Sequence, residues 1–151
     1  MSSAIEGLRP KGLWGHFEKL SEIPRPSKHE EAILDYLKNM FTEKELEWEQ
    51  DKAGNIIVRK NGTNGGEESS PLVIQSHVDM VCEKNREKEH DFMKEGITLV
   101  RDGKYLTADG TTLGADNGIG VAVMLALLDM PNEIKMPPLE CLFTVDEETG
   151  L

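Results

Sequence analysis

The feature that most constrains this chain is a segment near its C-terminal end that is apolar on every side. Between Gly118 and Asp129 it carries Ile119, Val121, Val123, Met124, Leu125, Leu127 and Leu128. A helix without a polar face has no side to present to water, so we expect it to be buried. Met130-Pro131 ends it, because proline disfavours helical geometry in the residue before it. The rest of the 151-residue chain must therefore build a layer of structure around this helix.

Short apolar runs predict the strands of that layer. Residues 55–59 alternate, with Ile56 and Val58 on one face and Ile57 on the other. Residues 71–76 and 139–145 are continuous apolar runs of strand length, typical of buried strands. Residues 97–106 predict a hairpin with Asp102-Gly103 as its turn.

Helical patterns lie between these runs. Residues 11–21 carry an apolar stripe at helical spacing, and a second stripe extends over residues 33–41. Ser27 and Glu30 have the spacing of a capping box, in which both side chains satisfy free N–H groups at a helix start. Since helices and strands interleave, the pattern predicts a layered α/β fold.

Polar residues capable of chemistry follow one of the predicted strands. His77-Val78-Asp79 comes directly after residues 71–76. Residues two apart in an extended segment point to the same side, so His77 can offer a ring nitrogen to a metal while Asp79 lies close by. A carboxylate in that place fixes the histidine tautomer and raises its basicity. Taken alone, the pair is more typical of a structural histidine–aspartate contact.

A second candidate lies just before the apolar helix, in the glycine-rich run from Gly114 to Gly120. Asp116 at a buried helix start is costly unless it is paired or binds a cation. It could equally be an ordinary N-cap. A phosphate loop is excluded, since Val123 occupies the third glycine position of GxGxxG and no Gly-Lys-Ser/Thr is present.

The third candidate is Asp146-Glu147-Glu148, after the strand at 139–145. Three consecutive acids repel one another, so they are either spread into solvent or collected by a cation, and the run alone does not distinguish the two. One histidine and several carboxylates at strand ends together form a nitrogen and oxygen set suited to zinc, manganese or cobalt.

These motifs resemble the M20 metallopeptidase family, and within it the aminoacyl-histidine dipeptidase branch. The similar runs are 77–85, 110–120 and 146–150, together with 23–27 and the pair Glu30 and Glu31. The resemblance covers essentially the whole chain. It implies a zinc-exopeptidase-like layered α/β fold, with a central mixed sheet flanked by helices and cut before its last strands. Residues 1–151 would be the N-terminal portion of the catalytic domain, without the family's lid and dimerisation domain.

The resemblance also implies roles for individual residues. His77 would bind one metal ion, Glu148 the second, and Asp116 would bridge both, with the peptide after Asp116 typically cis. Asp79 would orient His77. Glu147 would be the general base and later the acid. The implied cofactors are two divalent metal ions, zinc being the first expectation and manganese or cobalt the others.

The implied reaction is hydrolysis of a dipeptide by a water that the two metal ions activate. The family uses two further ligands, an acid and a histidine, that have no counterpart in these 151 residues. His16 and His29 are expected to be structural, and His90 solvated. We therefore expect this chain to be inactive or nearly so by itself. The alternatives are a related deacylase of N-acyl amino acids and a non-catalytic metal-binding fragment.

Composition narrows the partners. A net charge of −11 argues against nucleic acid and anionic membrane surfaces. No apolar run approaches the roughly 20 residues of a membrane helix, and residues 1–7 do not resemble a secretory signal. Cys82 and Cys141 lack CxxC spacing and are expected to be reduced thiols. We expect a cytoplasmic location, a small dipeptide substrate and, through an exposed sheet edge, a possible homo-oligomer.

Overall fold

The computed structural model describes residues 3–150. Met1, Ser2 and Leu151, which belong to the sequence considered above, lie outside the described residues. In chain order the elements are α1 (Lys11–Ser21), α2 (Glu31–Glu43), β1 (Glu47–Gln50), β2 (Ile56–Lys60), β3 (Leu72–His77), β4 (Leu99–Asp102), β5 (Tyr105–Ala108), α3 (Ala115–Leu128), β6 (Leu139–Thr144) and a final 3-10 turn (Glu147–Thr149).

The central sheet has four strands in the order β1-β2-β6-β3. β1 pairs antiparallel with β2, β2 pairs antiparallel with β6, and β6 pairs parallel with β3. The sheet is therefore mixed, as expected. β4 and β5 form a separate antiparallel hairpin. Its turn is Gly103-Lys104, one residue later than the predicted pair, and Gly103 adopts the positive φ of 56° that the turn requires.

One face of the sheet carries the core. Ile56 pairs with Phe143 and Val58 pairs with Cys141, so all four side chains share a face, and all four are fully buried. Phe41 of α2 stacks against Phe143, with ring centroids 5.3 Å apart. α3 packs against the same face, and α1 packs against α3. Within residues 3–150 the three helices thus cover a single face of the sheet.

The apolar helix is buried, as its sequence predicts. α3 contributes Val121, Ala122, Met124, Leu125 and Leu128 to the core. It begins at Ala115, three residues earlier than predicted, with non-helical backbone angles at Asp116 and Asn117. Among the apolar side chains of α3, only Val123 is exposed.

Several local predictions were wrong. The capping box does not form: α2 begins at Glu31 with Glu30 as its N-cap, and no side chain caps it. β1 was missed, because its sequence Glu-Trp-Glu-Gln has the charge of a solvated loop. β3 was expected to be buried throughout, but Leu72 and Val73 are exposed, since β3 lies at the edge of the sheet.

One histidine differs from its expected exposure, whereas the two cysteines are as expected. His90 was expected to be solvated, yet its side chain is only 5% exposed and stands edge-on to Phe92, with ring centroids 4.4 Å apart. Both cysteines are free thiols, as predicted. No helix of the described residues is long and apolar enough to cross a bilayer.

Candidate metal centre

The candidate site lies where the parallel strands β3 and β6 end beside the start of α3. His77 is the last residue of β3 and pairs with Thr144, the last residue of β6. Polar side chains that follow the two strands therefore meet at one edge of the sheet, which is where open α/β sheets place their ligands. The structure brings all five residues singled out from the sequence to this edge.

His77 faces a carboxylate from each of its ring nitrogens. Its side chain is 7% exposed. Nδ1 lies 3.2 Å from Asp79 Oδ1 and 3.2 Å from the Asp79 carbonyl oxygen. On the other side, Nε2 lies 3.0 Å from Asp116 Oδ1 and 3.6 Å from Glu147 Oε2. When Nδ1 carries the ring proton and donates a hydrogen bond to Asp79, Nε2 is unprotonated and its lone pair points toward Asp116.

Asp79 is completely buried and is fully engaged in hydrogen bonds. Its Oδ2 accepts from the Ser27 hydroxyl at 2.7 Å and from the Glu148 amide at 3.1 Å, and its Oδ1 accepts from the Glu147 amide at 3.2 Å. Burial by itself disfavours the charged form, but these donors and His77 outweigh it and lower the pKa of Asp79 below its ordinary value. Asp79 therefore links the histidine to the acidic turn.

Asp116 projects from the start of α3. Its side chain is 84% exposed although it contacts His77. The backbone there departs from helical geometry, and the peptide joining Asp116 to Asn117 is cis, as the resemblance implied. This local path turns the carboxylate away from the helix and toward the end of β3.

The acidic turn after β6 separates its three side chains. Asp146 adopts a left-handed conformation with φ of 57°, and its amide donates to Glu30 Oε1 at 2.9 Å. Glu147 and Glu148 follow, each with its amide bound to Asp79. Partial burial and the neighbouring carboxylates of Asp116 and Glu147 raise the pKa of Glu148, against the opposing effect of His77. From the sequence alone, the acids of residues 146–148 could be either solvated or bound to a cation.

Two residues near the site were missed at the sequence level. Ser27 and Glu30 had been assigned to a helix cap, but Ser27 donates to Asp79 and buried Glu30 accepts from Asp146. The available signal was the similarity of residues 23–27, with Glu30 and Glu31, to the family motif, but the same residues also fitted a helix-capping rule. Ser27 holds the carboxylate of Asp79, and Glu30 holds the backbone of Asp146.

The donor set is chemically suited to a divalent cation. One ligand atom each from His77, Asp116 and Glu148 lies within 4.8 Å of the other two. Ligands bound to the same zinc ion at about 2.0–2.2 Å lie roughly 3.5 Å apart in a tetrahedral site. Asp116 is therefore close enough to share a cation with His77 and another with Glu148 after small side-chain adjustments. The carboxylates of Glu30, Asp79 and Asp146 form a second group of that size. There, oxygens of Glu30 and Asp79 already accept hydrogen bonds from protein donors.

A cavity of about 390 Å³ adjoins the donor set. Its wall includes the apolar side chains of Val81 and Leu113, and Asp116 and Glu148 lie at its margin. An apolar surface beside convergent polar groups is the usual form of a small-molecule site.

Two dipeptidases are similar to this chain over almost its whole length. No protein-family model matches the chain. The cytosol non-specific dipeptidase of Escherichia coli K12 is 46% identical over 149 residues, which are 99% of this chain and 30% of that protein. The crystal structure of the aminoacylhistidine dipeptidase from Vibrio alginolyticus is also 46% identical and superposes with a TM-score of 0.93, covering 99% of this chain and 30% of the other.

A more distant structure shares the fold alone. The YXEP protein of Bacillus subtilis, described as a dinuclear metal-binding peptidase of the M20 family, is 17% identical with a TM-score of 0.55, covering 90% of this chain and 35% of the other. The chain spans about 30% of the length of the two dipeptidases it matches. In sequence and in fold, the chain is therefore similar to about 30% of an aminoacylhistidine dipeptidase.

Proposed function

We propose that this chain contributes half of a dinuclear metal site that hydrolyses dipeptides. The observation that carries the proposal is the convergence of His77, Asp116 and Glu148, with ligand atoms within 4.8 Å of one another at the end of two parallel strands. Two similar proteins, named as a dipeptidase and as a dinuclear metal-binding peptidase, support it.

The proposed ligands divide between two cations. His77 would hold one through Nε2, Glu148 would hold the other, and Asp116 would be the ligand that both share. The high exposure of the Asp116 carboxylate supports the bridging role, because a bridging group needs both oxygens free of protein donors. Nitrogen and oxygen donors suit zinc first, and manganese or cobalt as well.

The chain's own residues have separate tasks in the proposed mechanism. Bound cations would supply Lewis acidity, which makes a water acidic and polarises the scissile carbonyl. Glu147 accepts the proton of the attacking water and then delivers it to the leaving amine. Its side chain is half exposed, which supports a role in proton exchange with substrate and water. Asp79 orients His77 and, through two amides, holds Glu147 beside it.

The wider proposals concern the whole protein. We propose that residues 1–151 form the N-terminal portion of the catalytic domain, outside which the lid and dimerisation domain lies. The substrate is a small dipeptide, with no nucleic acid or membrane as partner, and the location is cytoplasmic, which the name of the Escherichia coli relative supports. The edge strand β3, with Leu72 and Val73 exposed, supports self-association. With three donors for two cations, the isolated chain is inactive or nearly so.

Cobalt titration of this chain tests the metal site. The visible absorption of Co²⁺ reports both binding and coordination geometry. We expect binding that weakens at least tenfold in His77→Asn and in Glu148→Gln, and that is unchanged in Glu133→Gln, a matched substitution of an exposed acid far from the site. Equal binding by all four proteins would contradict the ligand assignment.

Hydrolysis tests the reaction. The 151-residue chain and a full-length relative carrying the same substitutions are assayed with zinc, manganese or cobalt on dipeptides, including Xaa-His, and on N-acyl amino acids. We expect dipeptide turnover by the full-length protein, abolished by the counterpart of Glu147→Gln. Turnover of N-acyl amino acids alone would favour a deacylase. Glu147-dependent turnover by the short chain would overturn its proposed inactivity.

A further inference from the structure

A buried arginine lies directly behind the candidate metal centre. Arg25 is only 3% exposed, and no Asp or Glu carboxylate among residues 3–150 lies within ion-pair distance of its guanidinium. Its Nε is buried without a hydrogen-bond partner. An uncompensated buried cation is costly. The contacts that do hold this side chain therefore indicate what it is there for.

The guanidinium of Arg25 joins two segments that carry site residues. Nη1 donates to the carbonyl oxygen of Val78 at 3.0 Å and lies 3.4 Å from that of Asp79. Nη2 donates to the carbonyl oxygen of Gly114 at 2.6 Å. The first contact is within the segment from His77 to Asp79, and the second is in the turn just before Asp116. One planar group thus spans the two backbones whose side chains meet at His77 Nε2.

The backbone of Arg25 adds a further link to the same segment. The amide of Met80 donates to the Arg25 carbonyl oxygen at 3.1 Å, and Pro26 forms a parallel bridge with Met80. The side chain and the main chain of Arg25 therefore both bind the segment after β3. The position of the guanidinium relative to that segment is consequently well defined.

Two glycines make room for this arginine. A Cβ atom on Gly114 would lie 2.5 Å from Arg25 Nη2 and 2.7 Å from Met80 Sδ, and one on Gly118 would lie 2.7 Å from Nη2. None of these three contacts is possible between non-bonded heavy atoms. The glycines that the sequence left without a phosphate-binding role are therefore explained by the close approach of the guanidinium to the start of α3.

The positive charge of Arg25 also suits its position beside the acidic residues of the candidate metal centre. Burial lowers the pKa of Arg25 to about 10, so the group remains a cation near neutral pH. Four acids, Asp79, Asp116, Glu147 and Glu148, gather on the other side of the segment it holds. A fixed positive charge reduces their mutual repulsion while the site contains no metal.

We infer that Arg25 is a positioning residue, which sets the separation of His77 and Asp116 before metal binds by clamping the turn at Gly114 to the segment after β3. The inference rests on the proposed function only in assigning metal binding to His77 and Asp116. A role confined to general stability is the competing explanation, and local measurements on the metal-free chain separate the two.

The test compares the unsubstituted chain with Arg25→Lys, which keeps the charge but loses the planar fork. Arg101→Lys, in the exposed hairpin, is the matched control. Amide hydrogen exchange of the metal-free chains is measured by NMR. The diagnostic amides are Gly118, bound to Gly114, and Glu147 and Glu148, bound to Asp79. We expect them to exchange at least tenfold faster in Arg25→Lys, while the amide of Thr63, at the opposite end, is unchanged.

Cobalt affinity gives the second readout. We expect at least a tenfold loss and altered visible absorption in Arg25→Lys, with no change in Arg101→Lys. Faster exchange spread evenly over the chain, or no change at the three amides, would overturn the positioning role. If the unsubstituted chain binds no cobalt, the metal-binding proposal fails, and the exchange pattern still decides the case of Arg25.

The unsubstituted chain keeps the inference testable should Arg25→Lys fail to fold. A clamped guanidinium rotates slowly about its Nε–Cζ bond, so we expect separate, slowly exchanging Nη protons for Arg25 and averaged signals for Arg101. Averaged signals for Arg25 would overturn the inference, because the clamp requires both Nη groups to hold fixed acceptors.

Discussion

Two glycines, each inside a helix, should respond in opposite directions to the same substitution. Gly15 lies in α1, and a Cβ built on it meets nothing within 4 Å. Gly120 lies in α3, and a Cβ there would collide with Asn117 Oδ1 and Ser76 Oγ and lie 3.1 Å from Asn117 Cγ. Neither glycine has a positive φ, so alanine suits both backbones and only the surroundings differ.

The magnitudes follow from two opposing effects. Alanine in place of glycine in a helix interior contributes about 1 kcal/mol. Overpacking at a closed site costs about 1–3 kcal/mol. Gly15→Ala should therefore raise the free energy of unfolding by up to about 1 kcal/mol, and Gly120→Ala should lower it by up to about 2 kcal/mol. The expected difference between the variants is about 2 kcal/mol, or roughly 6 °C in Tm for a chain of this size.

Thermal and urea unfolding followed by circular dichroism would measure both variants. The comparison is internal, because the substitution and the helix propensity are the same and only the space around the new methyl group differs. Gly120→Ala as stable as Gly15→Ala would refute the reasoning, since it would mean that α3 does not approach β3 as closely as the Gly120 contacts require.

Two further measurements probe groups away from the site. Burial opposes ionisation of Asp129, but hydrogen bonds from Lys44 and His16 outweigh this effect and lower the pKa of Asp129. The ionised carboxylate therefore stabilises the fold above its ordinary pKa of 3.8, and this stabilisation is lost as pH falls through the lower pKa of the folded state. Because Asp129 is a third exposed, Asp129→Asn should cost only about 0.5–1 kcal/mol at pH 7, measured by urea unfolding. The cost should shrink as pH falls below 3.8, and a cost that persists unchanged in acid would contradict this. Burial raises the pKa of Cys141 to about 11, whereas Cys82 is half-buried. A thiol reagent should therefore modify Cys82 alone in the native chain and both cysteines in urea, and equal native rates would be inconsistent with the buried position of Cys141.

Patterns with a single physical reading were predicted well. The apolar run of α3 could only be buried, and the alternation of Ile56, Ile57 and Val58 could only place the first and third on the same face. The candidate site was also predictable in outline, because residues that follow parallel strands meet at one edge. The motifs of the family added the pairing of residues distant in the chain, such as His77 with Asp116.

Patterns with two physical readings were decided only by the tertiary structure. Ser27 and Glu30 satisfy a local capping rule, yet they bind Asp79 and the amide of Asp146 instead. An unsatisfied polar group inside the protein costs more free energy than an uncapped helix start, whose N–H groups can bind water. β1 was missed although it forms a local hairpin with β2, because its charged sequence lacks the apolar alternation that indicates a strand.

The sequence by itself determined which residues can be buried, which elements they form and which side chains are capable of binding metal. The tertiary structure alone decided how Gly114 and Gly118 are used. A glycine permits another group to approach closely but does not specify which group. Nothing in the local sequence therefore indicates that Arg25, about 90 positions earlier, fills the space beside these glycines. Only the packing of the segment after β3 against the start of α3 places the arginine there, because its charge must find backbone oxygens once water is excluded.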